Sequence, residues 1–511
     1  MTTPNSILIP SVPLKKHSKP WLKNILLVGT GAVSGVMLTV GVAAYSFMGD
    51  DGKFPAEEFA AFSRVYGAVK RFYVEPVEDK KLVADAIQGM LSKLDPHSAY
   101  MDKQETKSFE EDLKGSFVGV GMQIDTEDGY IKVQSPIEGG PAERAGIKSG
   151  DLIVKIEDKT TKNMNTTQAV KLLRGEISTK VTITVSRKGD PLPMVITLIR
   201  ETIKMANIRS KLLNDNVLYV KVNGFIQERT TLELVEELIK LDTQLKQQIV
   251  PAQTPKHLVL DLRNNGGGLL FNAIGVAAAF LPENVLVVSV RGRIADNNKQ
   301  YLTRLEDYQL IDHTAQQLID PLKNLPKWAK NVPLTILTNQ GTASASEIVA
   351  GAFKDYNRAK ILGTRTFGKG SVQSAISLPD GASIKLTMQR YYTPKDISIQ
   401  AKGITPDYNV DETAEGNPLA EFINREDDYD GALDSTNKPI DTKTAEEKNK
   451  AAEEKLKRLE KIRADSRKPP DFGNIEKDYQ LQQAMNLILG KPVATVAEEK
   501  KNDAKNDDKS K

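Results

Sequence analysis

"VPLTILTNQGTASASEIVAGAFKDY", residues 332–356, joins an apolar run to a turn of small residues and then to a helical pattern beginning near Ala345. An apolar run of this kind suits a strand covered on both faces, and such strands belong to sheets flanked by helices. The same alternation extends outward. Upstream, after Asn207, come "VLYVKVNGF", a helix over about 231–248, "HLVLDLR", a helix after Gly268 and "LVVSVRG"; downstream comes "KILGTRT". This pattern predicts an α/β layer architecture with a mostly buried sheet for residues 202–412.

A serine in that small-residue turn lies beside unpaired amides at the positive end of a helix, where a developing oxyanion is stabilised. Ser344 and Ser346 both qualify, and both also suit plain helix capping. A second feature adds to the first. "HLVLDLRNNGGGLL", 257–270, sets a triple glycine after a buried strand, where backbone can approach a ligand with no Cβ in the way. Alone it reads as a strand-to-helix turn. Two adjacent strand ends offering bare amides would form an oxyanion hole.

A nucleophilic serine needs a base. "GTRTFGKGSVQ", 363–373, fits the phosphate-loop signature as far as Gly363, Gly368 and Lys369, but Gly370 stands where that signature needs a hydroxyl for Mg²⁺. The next stretch, "SVQSAISLPDGASIKLTMQRYY", reads as a β-hairpin around Pro-Asp-Gly rather than as a helix facing phosphates. Lys369 is therefore free for other chemistry. As a base near neutral pH its pKa must fall from about 10.4 to near 7, about 4 kcal/mol of bias toward the neutral amine, which burial can supply. The histidines, His17, His97, His257 and His313, sit in no distinctive motif, so a Ser-His pair is less well supported. An S-x-x-K spacing occurs only at Ser435–Lys438, in a polar tail.

Around this core the texture changes. Residues 113–201 carry short β-branched runs separated by glycine, such as "FVGVGMQI", "LIVKIED" and "KVTITVSR", with one helix near 167–173, which reads as a small β-rich domain. Residues 54–112 read as helical, with Phe59, Phe62, Val65, Tyr66 and Val69 at helical spacing, ending in the Asp-Pro break of "LDPHSAYMD". In the 413–511 region, 443–468 suits a solvated helix or an assembly or adaptor surface, 477–489 an amphipathic helix, and 497–511 a disordered tail.

The amino-terminal end sets the compartment. A basic segment, 1–23, with Lys15, Lys16, Lys19 and Lys23, precedes an uncharged run over 24–49. As a helix that run is roughly 35 Å long and can cross a bilayer core of about 30 Å. Positive charge stays inside, so the remainder is expected on the periplasmic, extracytoplasmic side of the cell membrane. A cleaved signal peptide, with "VAAYS" at 42–46 as its site, is the alternative. Gly31 and Gly35 form a G-x-x-x-G, a weak sign of helix pairing and of a homo-oligomer. With 70 basic and 67 acidic residues among 511, no global field recruits nucleic acid. The absence of cysteine excludes disulfides, thiol nucleophiles and thiolate metal sites.

"GTASASEIVAGAFKDYNRAKILGTRTFGKGSVQ" resembles the catalytic core of the carboxyl-terminal processing peptidases, or tail-specific proteases, which are Ser-Lys serine endopeptidases. The resemblance implies a crotonase- or ClpP-like layered α/β core, Ser344 as nucleophile, Lys369 as base and Gln373 as the residue orienting the lysine. No metal or cofactor is implied. "LDLRNNGGG" is similar to the family's Leu-Arg-Asn-Asn-Pro-Gly-Gly segment and implies oxyanion donors at Gly267 and at the Ala345 amide, with Gly266 where the family has proline. "FVGVGMQI" with "GGPAERAGIKSGDLIVKIED" looks like an inserted PDZ domain, whose loop Gly119, Val120 and Gly121 would capture a substrate's free carboxyl terminus. "LDPHSAYM" and "GITPDYNV" are also similar to family segments. The competing readings are a peptide-binding scaffold with an inert core and a phosphate-loop NTPase.

Overall fold

The computed structural model describes residues 55–495 except 114–115, 128, 138, 188–189, 191, 205–206, 249–253, 313–316, 415, 417–423, 430 and 435–471. The basic segment 1–23, the apolar run 24–49, the helix expected over 443–468 and the tail 497–511 lie outside the described residues. No described helix is long and apolar enough to cross a membrane.

Two compact units divide near Asp85. The first holds helix α1, Ala56–Phe72, and the start of α2, Asp79–Ser92. Asp79, at the first position of α2, accepts from Tyr66 at 2.6 Å and pairs with Lys70 at 2.7 Å. Phe59, Phe62 and Val65, the apolar stripe of α1, are exposed.

In the second unit the helical run expected over 54–112 is broken. Strand β1, Ala99–Met101, precedes helix α3, Lys103–Leu113, because the Asp-Pro step ends helical geometry and the next residues find an open sheet edge. The β-rich insert begins at β2, Ser116–Gly119, and continues through β3, Met122–Glu127, β4, Tyr130–Pro136, and β5, Leu152–Ile156. Helix α4, Thr166–Leu173, opens on a capping box between Asn165 and Gln168. Strands β6, Lys180–Ser186, β7, Met194–Ile199, and β8, Glu201–Lys204, complete it. The insert's sheet runs β3-β4-β5-β6-β7 over a core of Ile131, Val133, Ile153, Ile156, Val181, Ile183 and Val185. Its entry and exit strands, β2 and β8, pair antiparallel, so the insert leaves the chain where it entered.

The largest domain is a β/α/β sandwich. Its first sheet contains β9, Ile208–Leu212, β10, Val217–Val222, β11, His257–Asp261, β14, Leu334–Thr338, β15, Lys360–Gly363, and β18, Tyr408–Asn409, side by side in that order. From β10 onward all neighbours are parallel. The second sheet, antiparallel, contains β12, Leu286–Gly292, β13, Lys299–Leu302, and the hairpin β16, Ser371–Ser377, with β17, Ser383–Tyr392; β1 adds to the edge of β17. Between the sheets lie α6, Leu270–Phe280, and α7, Ala345–Asp355, with α5, Thr230–Gln248, beside β9.

The alternation of side chains along the parallel strands explains why those strands read as continuously apolar. Leu218, Val220, Leu258, Leu260, Ile336 and Ile361 face α6 and α7, where Phe280 and Phe353 meet edge to face at 6.2 Å. Val217, Tyr219, Val259, Leu337 and Leu362 face the other way, onto Leu481, Ala484 and Met485 of α8, Tyr479–Ile488. The amphipathic segment near the carboxyl end is thus the outer cover of the parallel sheet. Each fully buried leucine on either face contributes roughly 1.5–3 kcal/mol.

Candidate active site

Strand β14 and the turn after it deliver Ser344 to the amino end of α7, at φ 58° and ψ −119°. That backbone region strains any residue with a Cβ, and such strain gathers at sites that need a side chain projected sharply. Gly267, φ +98°, packs against the same turn so closely that a Cβ there would lie 2.8 Å from the Ser344 Cβ. Only glycine fits.

The two candidate serines separate by their partners. Ser346, fully buried, donates its hydroxyl to the Asn265 carbonyl at 2.9 Å and so bolts the glycine turn to α7. Ser344 Oγ lies 2.7 Å from the hydroxyl of Tyr391 on β17. Among the described residues no histidine reaches it. His97 bonds Glu426 at 2.8 Å, and His257 bonds Thr335 at 2.9 Å.

Lys369 is joined to Ser344 through Glu347. One carboxylate oxygen, Oε2, accepts from the Ser344 amide at 2.8 Å and from the Lys369 amide at 2.9 Å. The other, Oε1, accepts from the Gly368 amide at 2.7 Å and from the Thr366 hydroxyl. Burial outweighs the pull of these four donors and pushes the Glu347 carboxyl up to about 7. The Lys369 side chain is largely buried, and desolvation holds its pKa below the ordinary lysine value. Lys385 adds to the depression, whereas Glu426, Asp95 and Glu347 oppose it. In this conformation the lysine amine makes no hydrogen bond among the described residues.

Gln373 departs from its expected role. Its side-chain amide donates to Ser371 at 2.9 Å and Thr387 at 3.2 Å, not to Lys369, and the β16–β17 register slips beside it, between Val372 and Gln373. Gly267 also departs in part. Its amide donates to the Asn265 side chain at 2.9 Å, so in this conformation it is not a bare donor. The Ala345 amide, first in α7, has no acceptor among the described residues.

Two supports were not legible as site residues. "LDPHS" places Asp95 where it accepts from the Ser98 hydroxyl at 2.7 Å and from Thr387 at 3.0 Å, behind Lys369. Glu426, fully buried, accepts from Gln400 at 2.8 Å, and Gln400 in turn accepts from the Gly370 amide at 3.0 Å. Beneath the glycine turn, Arg263 is buried and paired with Asp261 at 2.7 Å and with Asp478, the residue capping α8, at 2.6 Å. Asp261 is held down to about 2, chiefly by the Arg263 charge acting against burial.

In the insert, the loop Gly119, Val120 and Gly121 borders a cavity of about 100 Å³ completed by Met122, Ile124, Val170 and Leu173. The carbonyls of Val120 and Gly121 accept from Ala142 and Ile137 at 2.9 Å. Their amides find no acceptor among the described residues.

Comparison with known proteins agrees with these parts. Peptidase family S41 matches residues 216–410, a PDZ domain matches 132–187, and the "Activating protease CtpB N-terminal domain" matches 31–106. A carboxy-terminal-processing protease of Bartonella bacilliformis is 38% identical over 74% of this chain and 82% of its own length. A probable CtpA-like serine protease of Staphylococcus saprophyticus is 36% identical over 76% of this chain and 72% of its own. Among solved structures, the photosystem II D1 C-terminal processing protease overlaps 68% of this chain and 86% of its own at 28% identity, with a TM-score of 0.40, a likeness too slight to add weight. The chain therefore belongs to the carboxy-terminal-processing peptidases, serine-type peptidases of family S41 that carry a PDZ domain.

Proposed function

We propose that this peptidase cleaves peptide bonds with a Ser344–Lys369 dyad and selects substrates by their free carboxyl termini. The observation that carries the reading is the single Glu347 oxygen shared by the Ser344 and Lys369 amides, which fixes the two loops to one another. A buried lysine with a lowered pKa supplies a neutral amine, and a strained serine at a helix amino end supplies the hydroxyl. A change of lysine side-chain torsions brings the amine to Ser344. Lys369 then takes the Ser344 proton as Oγ attacks the scissile carbonyl, and the Ala345 amide stabilises the oxyanion. Gly267 would join it by releasing Asn265. The protonated lysine gives its proton to the leaving amine, and water hydrolyses the acyl-enzyme by the same route. Gln373 would orient the lysine only after leaving Ser371 and Thr387.

The insert's loop amides and the apolar cavity beside them suit a carboxylate followed by an apolar side chain. Residues 54–112, 113–201 and 202–412 are assigned as amino-terminal region, PDZ domain and protease core. The apolar run behind four lysines supports an extracytoplasmic catalytic part acting on exported protein substrates. Purified Ser344→Ala should lose cleavage by on the order of 10⁴-fold or more while keeping peptide affinity. Amidating the carboxyl terminus of a peptide substrate should raise KM. Equal cleavage by Ser344→Ala would overturn the dyad, and indifference to amidation would overturn the selection rule.

A further inference from the structure

We propose that Tyr391 is a third catalytic residue, whose hydroxyl donates to Ser344 Oγ and stabilises that oxygen as it gains negative charge. The proposal rests on Ser344 as nucleophile and Lys369 as base. Three observations carry it. The phenol oxygen is 2.7 Å from Ser344 Oγ and has no other hydrogen-bond partner among the described residues. The ring is buried in the core between the sheets, so water does not compete for that contact. The Tyr391 amide donates to the Gly370 carbonyl at 3.0 Å, which ties the phenol to the loop that carries the lysine.

Either hydroxyl can donate in this contact, and the proposal takes tyrosine as the donor. Burial raises the Tyr391 pKa and outweighs the lowering by its hydrogen bond to Ser344, with Glu347 and Glu426 adding to the rise, so the phenol keeps its proton throughout the working range. With tyrosine donating, one Ser344 lone pair is occupied and the serine O–H is left to point at the lysine amine. When Lys369 removes that proton, the Oγ–carbon bond forms and the carbonyl π pair moves to the oxyanion. Tyr391 keeps its own proton while its bond to the alkoxide-like Oγ strengthens. In deacylation the carbon–Oγ bond breaks with its pair on Oγ, and the same hydroxyl stabilises that oxygen until Lys369 returns a proton.

Tyr391→Phe keeps the ring and its packing and removes one oxygen. The expected result is a 10- to 100-fold fall in kcat with little change in KM, roughly the range for a hydrogen bond to a charged group. Labelling of Ser344 by a fluorophosphonate probe should slow by the same factor, while the pH at which labelling switches on stays put, because Lys369 remains the base. Labelling of Tyr391→Phe at the wild-type rate or faster would overturn the proposal and leave the dyad standing. Wild-type protein that is not labelled at Ser344, or labelling undiminished in Lys369→Ala, would overturn the dyad and this proposal together.

Discussion

Ser344 and Lys369 donate their amides to one and the same oxygen, Oε2 of Glu347, at 2.8 and 2.9 Å. Glu347→Gln would put an amide group against at least one pair of donors where a carboxylate now accepts from all four. The expected cost is about 1–3 kcal/mol of stability and a fall in activity of at least tenfold, read by denaturant unfolding and peptide hydrolysis. Wild-type activity with lowered stability would separate Glu347 from the site.

The pH dependence of cleavage has a definite sign. A lysine base works as the neutral amine, so activity rises as pH climbs through the Lys369 pKa. Lys385 lowers that pKa by charge repulsion. Lys385→Met removes the repulsion, raises the Lys369 pKa, and moves the onset of kcat/KM to higher pH. An onset that moves to lower pH would contradict the assignment of Lys369 as base.

Backbone strain at Ser344 predicts an inverted order of stability. Both Ser344→Ala and Ser344→Gly lose the hydroxyl, but only glycine relaxes φ 58° and ψ −119°. The glycine variant should be the more stable by about 1 kcal/mol, although glycine normally costs stability relative to alanine. Thermal unfolding of the two inactive variants decides it.

The covering helix α8 is predicted to matter for the glycine turn. Asp478→Ala leaves the buried Arg263 with Asp261 as its only carboxylate partner among the described residues, at a cost of about 3 kcal/mol. Arg263 directly precedes Asn264 and Asn265, so peptidase activity should fall with stability and recover in part when stability is restored by low temperature. Unfolding curves for the variant and the parent give the first number, and activity against temperature gives the second.

The layers of this fold were readable because both faces of the parallel strands are covered, which leaves runs such as "HLVLD" and "LTILT" mostly apolar and almost wholly buried. Ser344 and Lys369 were readable because each sits in a small-residue turn with a distinctive neighbourhood. Glu347 left a signal of another kind: Ser344 and Glu347 have capping-box spacing, which says that the carboxylate turns back on the serine amide but not that it also binds a second loop. Tyr391 and Glu426 left none, since each comes to the site through pairing and packing remote in sequence, and Asp95 lay in the family-like "LDPHSAYM" with no sign of its role. Gln373 was expected on Lys369 from its place in the motif; in the structure, beside a slip in register, it bonds Ser371 and Thr387 instead. The amphipathic pattern of 477–489 foretold a docked helix but not that its cap would hold Arg263.

Cleavage of a peptide substrate by purified Lys369→Ala, followed across about pH 6 to 10 beside the parent protein, tests the dyad most directly. The predicted result is loss of hydrolysis on the order of 10⁴-fold at every pH, with the fold intact. Hydrolysis at the parent's rate, with the parent's pH onset, would contradict it.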